Sequence, residues 1–115
     1  MTDSNAAARA TGQQVGIVDV NGNVIEVIDR AEMRRRGARH RCTYVVVIRT
    51  DGRVVVHQRA PWKDVAPSLW DLAFGGVCDV GEGWLASAKR ELAEGAGIAG
   101  VELTHLGPVA CPSRY

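Results

Sequence analysis

Nowhere does the chain hold an apolar run approaching the roughly 18 residues that a membrane-spanning helix needs, so no transmembrane segment is expected. Its first fourteen residues, MTDSNAAARATGQQ, also lack the apolar stretch of a secretory signal. They read as a disordered leader, residues 1–14, ahead of one domain over 15–115. Charge of one sign is not in surplus. Fourteen basic and thirteen acidic side chains leave +1, which gives no global electrostatic reason to expect nucleic acid or a membrane surface as partner. Cysteine is scarce: Cys42, Cys78 and Cys111 are odd in number and have no CxxC spacing, which fits free thiols in a reducing cytosol better than a disulfide framework. Internal repeats and low-complexity tracts are absent. At 115 residues there is room for one hydrophobic core and no more.

What the chain does have is a succession of short patterned segments. Gln14–Asp19 and Asn23–Ile28 alternate apolar and polar residues around Asn21-Gly22, which predicts a tight hairpin. Asp29 is placed to cap a short helix running to Arg36. Residues 33–41, MRRRGARHR, hold five arginines and His40, a phosphate-attracting patch or, on the favoured reading, a solvated helix end. Cys42–Ile48 and Arg53–Gln58 are valine-rich and flank Thr50-Asp51-Gly52, a second hairpin signal. Val45 to Ile48 is apolar on both faces, as in a strand covered on each side, which points to a layered α/β domain. RAPWKDVAPSLWDL, residues 59–72, carries two prolines and two tryptophans and is expected to be an ordered loop, with Trp62 or Trp70 under it or against a ligand, and Trp70 in the core. A short strand from Leu72 to Phe74 then enters Gly75-Gly76, and Val101–Leu106 is a further strand candidate.

Residues 76–98, GVCDVGEGWLASAKRELAEGAGI, are where chemistry is expected. With a helix starting near Gly83, Leu85, Ala88, Leu92 and Ala96 fall within about 80° of one another and predict a core-facing stripe. Ser87, Arg90, Glu91 and Glu94 share the other side. Glu91 and Glu94 are only about 60° apart, so both carboxylates can approach one ion. Hard divalent cations take such oxygens, and Mg²⁺ commonly uses one or two carboxylates with water and substrate phosphate. The two glycines allow close backbone approach, and Glu82 precedes the helix near its positive end. Read alone, the helix is as well explained as a solvated amphipathic surface.

As a string the segment is Gly76, five residues, Glu82, seven residues, Arg90-Glu91, Leu92, Ala93, Glu94, Gly95, Ala96, Gly97 and Ile98. It resembles the Nudix box and departs from it at one fixed position, Gly95, where the family has the second glutamate of a pair and a principal metal ligand. The resemblance extends over Ile17 to Gly97, roughly 70% of the chain, and is to the branch related to isopentenyl-diphosphate isomerase. It implies a Nudix-type α/β/α sandwich with a mixed sheet, incomplete at its C-terminus, in the α/β (α+β) class. The implied activity is cleavage of a diphosphate linkage in a nucleoside-diphosphate-like small molecule with Mg²⁺ or Mn²⁺, in the cytoplasm.

Mapped onto this sequence, the resemblance makes Glu91, Glu94 and Arg90 catalytic. Gly76 (through its carbonyl), Glu91 and Glu94 become metal ligands; Arg59, Lys63 and Gly75 bind substrate, and Glu82 supports the loop. Isomerase activity is the competing enzyme reading. It is weakened because Gly75 stands where the isomerases have a catalytic cysteine and Val77 where they have a histidine ligand, although His40 falls at the register of another. Gly95 supports an alternative of a different kind, a catalytically impaired Nudix-derived domain that binds a ligand or a partner. An exposed apolar sheet face, and with it a homodimer or aggregation, is also expected.

Overall fold

The computed structural model describes residues 12–110. β1 (Gln14–Val18) and β2 (Val24–Asp29) form the first hairpin, Gln14 opposite Asp29 and Ile17 opposite Glu26. Its turn is fixed by the Asp19 side chain, which accepts the N–H groups of Asn21 and Asn23 at 2.9 and 3.0 Å. Gly22, at φ 84°, takes the left-handed conformation that a side chain disfavours. α1 (Arg30–Arg36) follows directly and is closed by Gly37 in the left-handed region. Asp29 flanks the helix without capping it through its side chain, which accepts a hydrogen bond from Gln14 instead. The arginine-rich run is largely paired: Arg30 and Arg34 both hold Asp64 at 2.9 Å, Arg36 forks onto Glu26, and Arg35 pairs with Glu32. It is a surface network that ties α1 to the loop at Asp64.

β3 (Cys42–Val46) pairs antiparallel with β6 (Ala73–Val77), and β4 (His57–Gln58) with β5 (Trp70–Asp71). The second hairpin persists beyond the named strands, through the Ile48–Val54 bridge, Arg49 N–H to Arg53 O at 2.8 Å and Val55 N–H to Val47 O at 2.9 Å. α2 (Trp84–Ala96) packs on one face of the β3–β6 pair. On the other face, at the Cys42–Val77 end, the first hairpin and α1 close a core of Val15, Ile17, Met33 and Val77, with Ile28, Ala38 and Cys42 against it. The class is α/β in its α+β form: the named strands form three two-stranded sheets, β1–β2, β3–β6 and β4–β5, with α2 on one side of the β3–β6 pair and α1 on the other. All strand pairings among the described residues are antiparallel.

Several expectations are corrected. The Val45–Ile48 strand is covered on one side only, because Val46 and Ile48 lie beyond the reach of the α1 layer and are exposed. Trp70 is exposed as well: it pairs with Gln58 on the face away from α2, so the alternation of the strand turns it out of the core. Residues 101–106, expected as a further strand, form none. The expected leader falls largely on residues outside the described range, but Gln13 and Gln14 belong to the fold. Gln13 is buried and donates to Val77 O at 3.0 Å and to Asp79 at 2.7 Å.

The close approach of β3 to β6 depends on Gly75. A Cβ there would stand 1.9 Å from the Thr43 carbonyl oxygen, inside any permitted contact. Gly75→Ala is therefore expected to cost at least about 3 kcal/mol or to prevent folding. Gly83→Ala, which meets nothing within 4 Å, should stay within about 1 kcal/mol. Thermal unfolding followed by circular dichroism separates the two, and equal behaviour would contradict the packing described.

Candidate active site

α2 is framed by glycines, Gly83 in extended conformation before it and Gly97 in the left-handed region after it; the Gly97 N–H donates to Ala93 O at 3.0 Å and the Ile98 N–H to Leu92 O at 3.4 Å. Its rotation differs from that predicted by the apolar stripe. The buried residues are Ser87, Glu91 and Leu92, while Leu85 is exposed. The physical reason lies in what the sheet offers. Thr43 donates to Ser87 Oγ at 2.8 Å, and Ser87 donates to Cys78 Sγ at 3.3 Å, so the buried hydroxyls satisfy one another. Gly76 leaves room for the Glu91 carboxylate, whose Oε1 lies 3.0 Å from where a Cβ on Gly76 would be.

A carboxylate buried in this way needs a cationic partner, and Arg90 supplies it. Its Nε and Nη2 fork onto Glu82 at 2.7 and 2.8 Å, and Nη1 donates to Glu91 Oε1 at 2.7 Å and to Glu94 Oε2 at 3.5 Å. Nη2 also reaches Val77 O at 3.3 Å, which anchors the guanidinium to the end of β6. Glu82 in turn accepts the Asp79 N–H at 3.0 Å. The hydrogen bonds from Arg90, over the opposing effect of burial and with help from the Asp79 N–H, hold the Glu82 carboxyl down at about 2.

Glu91, Glu94 and Gly95 from α2, Phe74 and Gly75 from β6, and the chain from His57 to Lys63 line one cleft of about 120 Å³. Of the residues singled out from sequence, the cleft brings together Arg59, Lys63, Gly75, Glu91 and Glu94. Gly76 lies beneath Glu91, and Arg90 fastens the glutamates through its hydrogen bonds. Arg59 is braced by Val65 O at 3.0 Å and by Asp71 at 3.6 Å. The Lys63 ammonium sits 4.6 Å over the Trp62 ring; burial pushes its pKa down while Glu91 pulls it up. Asp64, the next residue, is held at about 2 by Arg30 and Arg34 against the burial that raises it, and this fixes the loop carrying Lys63.

His57 and Phe74 also line the cleft and were not singled out as site residues from sequence. His57 stacks on Phe74 with ring centroids 4.1 Å apart and donates from Nε2 to Ala73 O at 2.7 Å. The period of two from Val55 places His57 on the α2 side of the sheet and would have found it; Phe74, its stacking partner, became visible only once β6 was paired with β3. His40 instead bonds Ala38 O at 2.9 Å beside Ile17 and does not line the cleft. Cys78 is buried against Thr43 and Ser87, away from the cleft, and burial pushes the Cys42 thiol up to about 11. Cys111 lies outside the described residues. No group of three or more His, Cys, Asp or Glu side chains able to hold a metal ion occurs among the described residues; the carboxylates lining the cleft are those of Glu91 and Glu94.

A glycine-bearing strand, β6, and a glutamate-bearing helix, α2, thus meet the basic residues Arg59 and Lys63 at one cleft. The NUDIX domain family model matches residues 38–114, and the chain belongs to the Nudix family. It is 42% identical over 107 residues to an uncharacterized Nudix hydrolase of Yersinia pestis, covering 93% of this chain and 58% of that protein. It is 40% identical over 98 residues to the uncharacterized Nudix hydrolase YfcD of Salmonella typhi, covering 85% and 53%. An uncharacterized Nudix hydrolase of Streptomyces coelicolor is 40% identical over 85 residues, covering 74% and 47%. The chain thus spans about half the length of these relatives. No helix among the described residues is long and apolar enough to cross a membrane.

Replacing Arg90 by glutamine should release the Glu82 carboxyl from about 2 toward its ordinary 4.5 and leave Glu91 buried without its cation. Because the depressed carboxyl stabilises the fold above its unfolded pKa, the deficit of Arg90→Gln should be full at neutral pH. It should shrink as pH falls from about 4.5 toward about 2. Urea unfolding of both proteins across that range checks this, and a deficit independent of pH would contradict it.

Proposed function

We propose that the chain is a Nudix-type hydrolase that cleaves a diphosphate linkage in a nucleoside-diphosphate-like substrate, using Mg²⁺ or Mn²⁺. The observation that carries this reading is the shared cleft, with Glu91 and Glu94 from α2 and Arg59 and Lys63 from the preceding loop. The donor set suits a hard divalent ion. The side-chain-free Gly76 cradles the Glu91 carboxylate, and Glu91, Glu94 and the Gly76 carbonyl would hold the ion, with substrate oxygens and water completing its shell. When bound, such an ion neutralises phosphate charge and makes a water more acidic.

The remaining work falls to the chain's own residues. Arg59 and Lys63, which line the cleft, bind phosphate oxygens. Arg90 orients Glu91 and Glu94 through its hydrogen bonds, so that they hold the ion or accept the proton of the attacking water. A cleft of about 120 Å³ takes a diphosphate but is small beside the roughly 300 Å³ or more of a site that encloses a whole drug-sized ligand. The isomerase reading finds no support: the backbone at Gly75 admits no side chain, and Cys78 is turned away from the cleft.

Gly95 favours a second reading, a Nudix-derived domain that binds without turnover. It lines the cleft, and a Cβ there would meet Phe74 at 3.1 Å, so a glutamate needs that ring to yield by a few tenths of an ångström. Calorimetry with Mg²⁺ and Mn²⁺, followed by phosphate release from a panel of nucleotide diphosphate derivatives, separates the readings. Glu91→Gln and Glu94→Gln should each weaken metal binding at least about tenfold with the fold intact, and Gly95→Glu should strengthen it. Unchanged affinity in both glutamine variants contradicts the assignment of the site. Metal binding without phosphate release from any substrate selects the binding domain.

A further inference from the structure

Gln13 immediately precedes β1 and is only 5% exposed. A primary amide buried this deeply needs its oxygen and both of its N–H groups answered. Each is answered from a different part of the chain. Gln13 Oε1 accepts a hydrogen bond from Arg30 Nη1 at 2.8 Å, while Nε2 donates to Val77 O at 3.0 Å and to Asp79 Oδ1 at 2.7 Å. The main chain is held as well, since the Arg30 N–H donates to Gln13 O at 3.0 Å. These partners fix which way the amide points: a guanidinium can face only its oxygen, and a carbonyl and a carboxylate only its nitrogen.

Each partner leads to one wall of the cleft. On one side Arg30 forks onto Asp64 through Nε at 2.9 Å and Nη2 at 3.0 Å, and Asp64 follows Lys63. On the other, Val77 O accepts from Arg90 Nη2 at 3.3 Å, and the Asp79 carboxylate lies 3.5 Å from Arg90 Nε. Arg90 in turn holds Glu82, Glu91 and Glu94. We propose that Gln13, which does not itself line the cleft, is a positioning residue of the candidate site. It ties the loop carrying Lys63 to the loop and helix carrying the glutamates, and so sets their spacing for a metal-bound diphosphate, a role that rests on the diphosphate reading of the cleft. The join needs an acceptor toward Arg30 and a donor toward Asp79 in one side chain. Among side chains of this length an ionised glutamate only accepts, and methionine offers neither a strong donor nor a strong acceptor.

Amide hydrogen exchange on the full chain, together with Mn²⁺ titration followed by electron paramagnetic resonance, tests this. The reporting amides are Arg59 and Lys63 in one loop and Cys78, Asp79 and Glu82 in the other, all of them hydrogen-bonded. Gln13→Met removes both halves of the join, so exchange should quicken at least about fivefold in both loops and Mn²⁺ affinity should fall at least about threefold. Gln13→Glu keeps an acceptor for Arg30 but sets a second carboxylate against Asp79. Exchange should then quicken in 77–82 alone, with a similar loss of Mn²⁺ affinity. Gln14→Met, which cuts the neighbouring surface bond to Asp29, should change neither readout. Should Gln13→Met not fold, Gln13→Asn, one methylene shorter, is read in its place. Exchange that quickens evenly along the whole chain, or not at all, would overturn the proposal. A parent that binds Mn²⁺ beside variants that bind it equally well overturns the role of Gln13 alone, whereas a parent that binds none overturns the metal reading and that role with it.

Discussion

The contact on which the candidate site depends is the fork of the Arg90 guanidinium on Glu82, with its remaining amino group turned to Glu91 and Glu94. Charge-assisted bonds of this type hold carboxylates in fixed geometry and keep them ionised. Without a cation at that position, Glu91 would be buried at the cost of its hydration, and α2 would gain by rolling its apolar residues toward the sheet. The same fork joins three segments: the end of β6 through Val77 O, the loop through Glu82, and α2 itself. Strand, loop and helix are therefore positioned by one side chain.

The glycines of β6 make the arrangement sterically possible. Gly75 lets that strand pass against Thr43, and Gly76 opens the space that the Glu91 carboxylate approaches. A side chain at Gly75 would part β6 from β3, and one at Gly76 would crowd the Glu91 carboxylate. On the far side, Asp64 clamps the Lys63 loop to α1 through Arg30 and Arg34, so the basic wall is as fixed as the acidic one. The cleft is thus held by ion pairs on both sides.

The turns could be read from sequence because their chemistry is local. Asn21-Gly22 and Asp51-Gly52 place glycine where φ is positive, and both hairpins form where they were expected. The spacing of Glu82, Arg90, Glu91 and Glu94 could be read as a string, and the cleft does gather the two box glutamates with Arg59 and Lys63. The rotation of α2 could not be read in this way. A helical wheel counts apolar residues, but the buried side here is chosen by a hydroxyl pair and an ion network that form only when β3, β6 and the loop meet. Trp70 was misjudged because tryptophan content predicts burial, whereas its register beside Gln58 determines its face. His57 went unnoticed because its role depends on Phe74, seventeen residues on and in another strand pair.

The central claim is that Arg90 organises Glu91 and Glu94 into a divalent-ion site. Electron paramagnetic resonance of Mn²⁺ titrated into the purified chain and into Arg90→Lys measures it directly, since lysine keeps the charge but cannot fork. The account predicts one bound Mn²⁺ per parent chain and an affinity at least about tenfold weaker in the lysine variant, with the helix content of both unchanged. Equal Mn²⁺ affinity in the two proteins would contradict it.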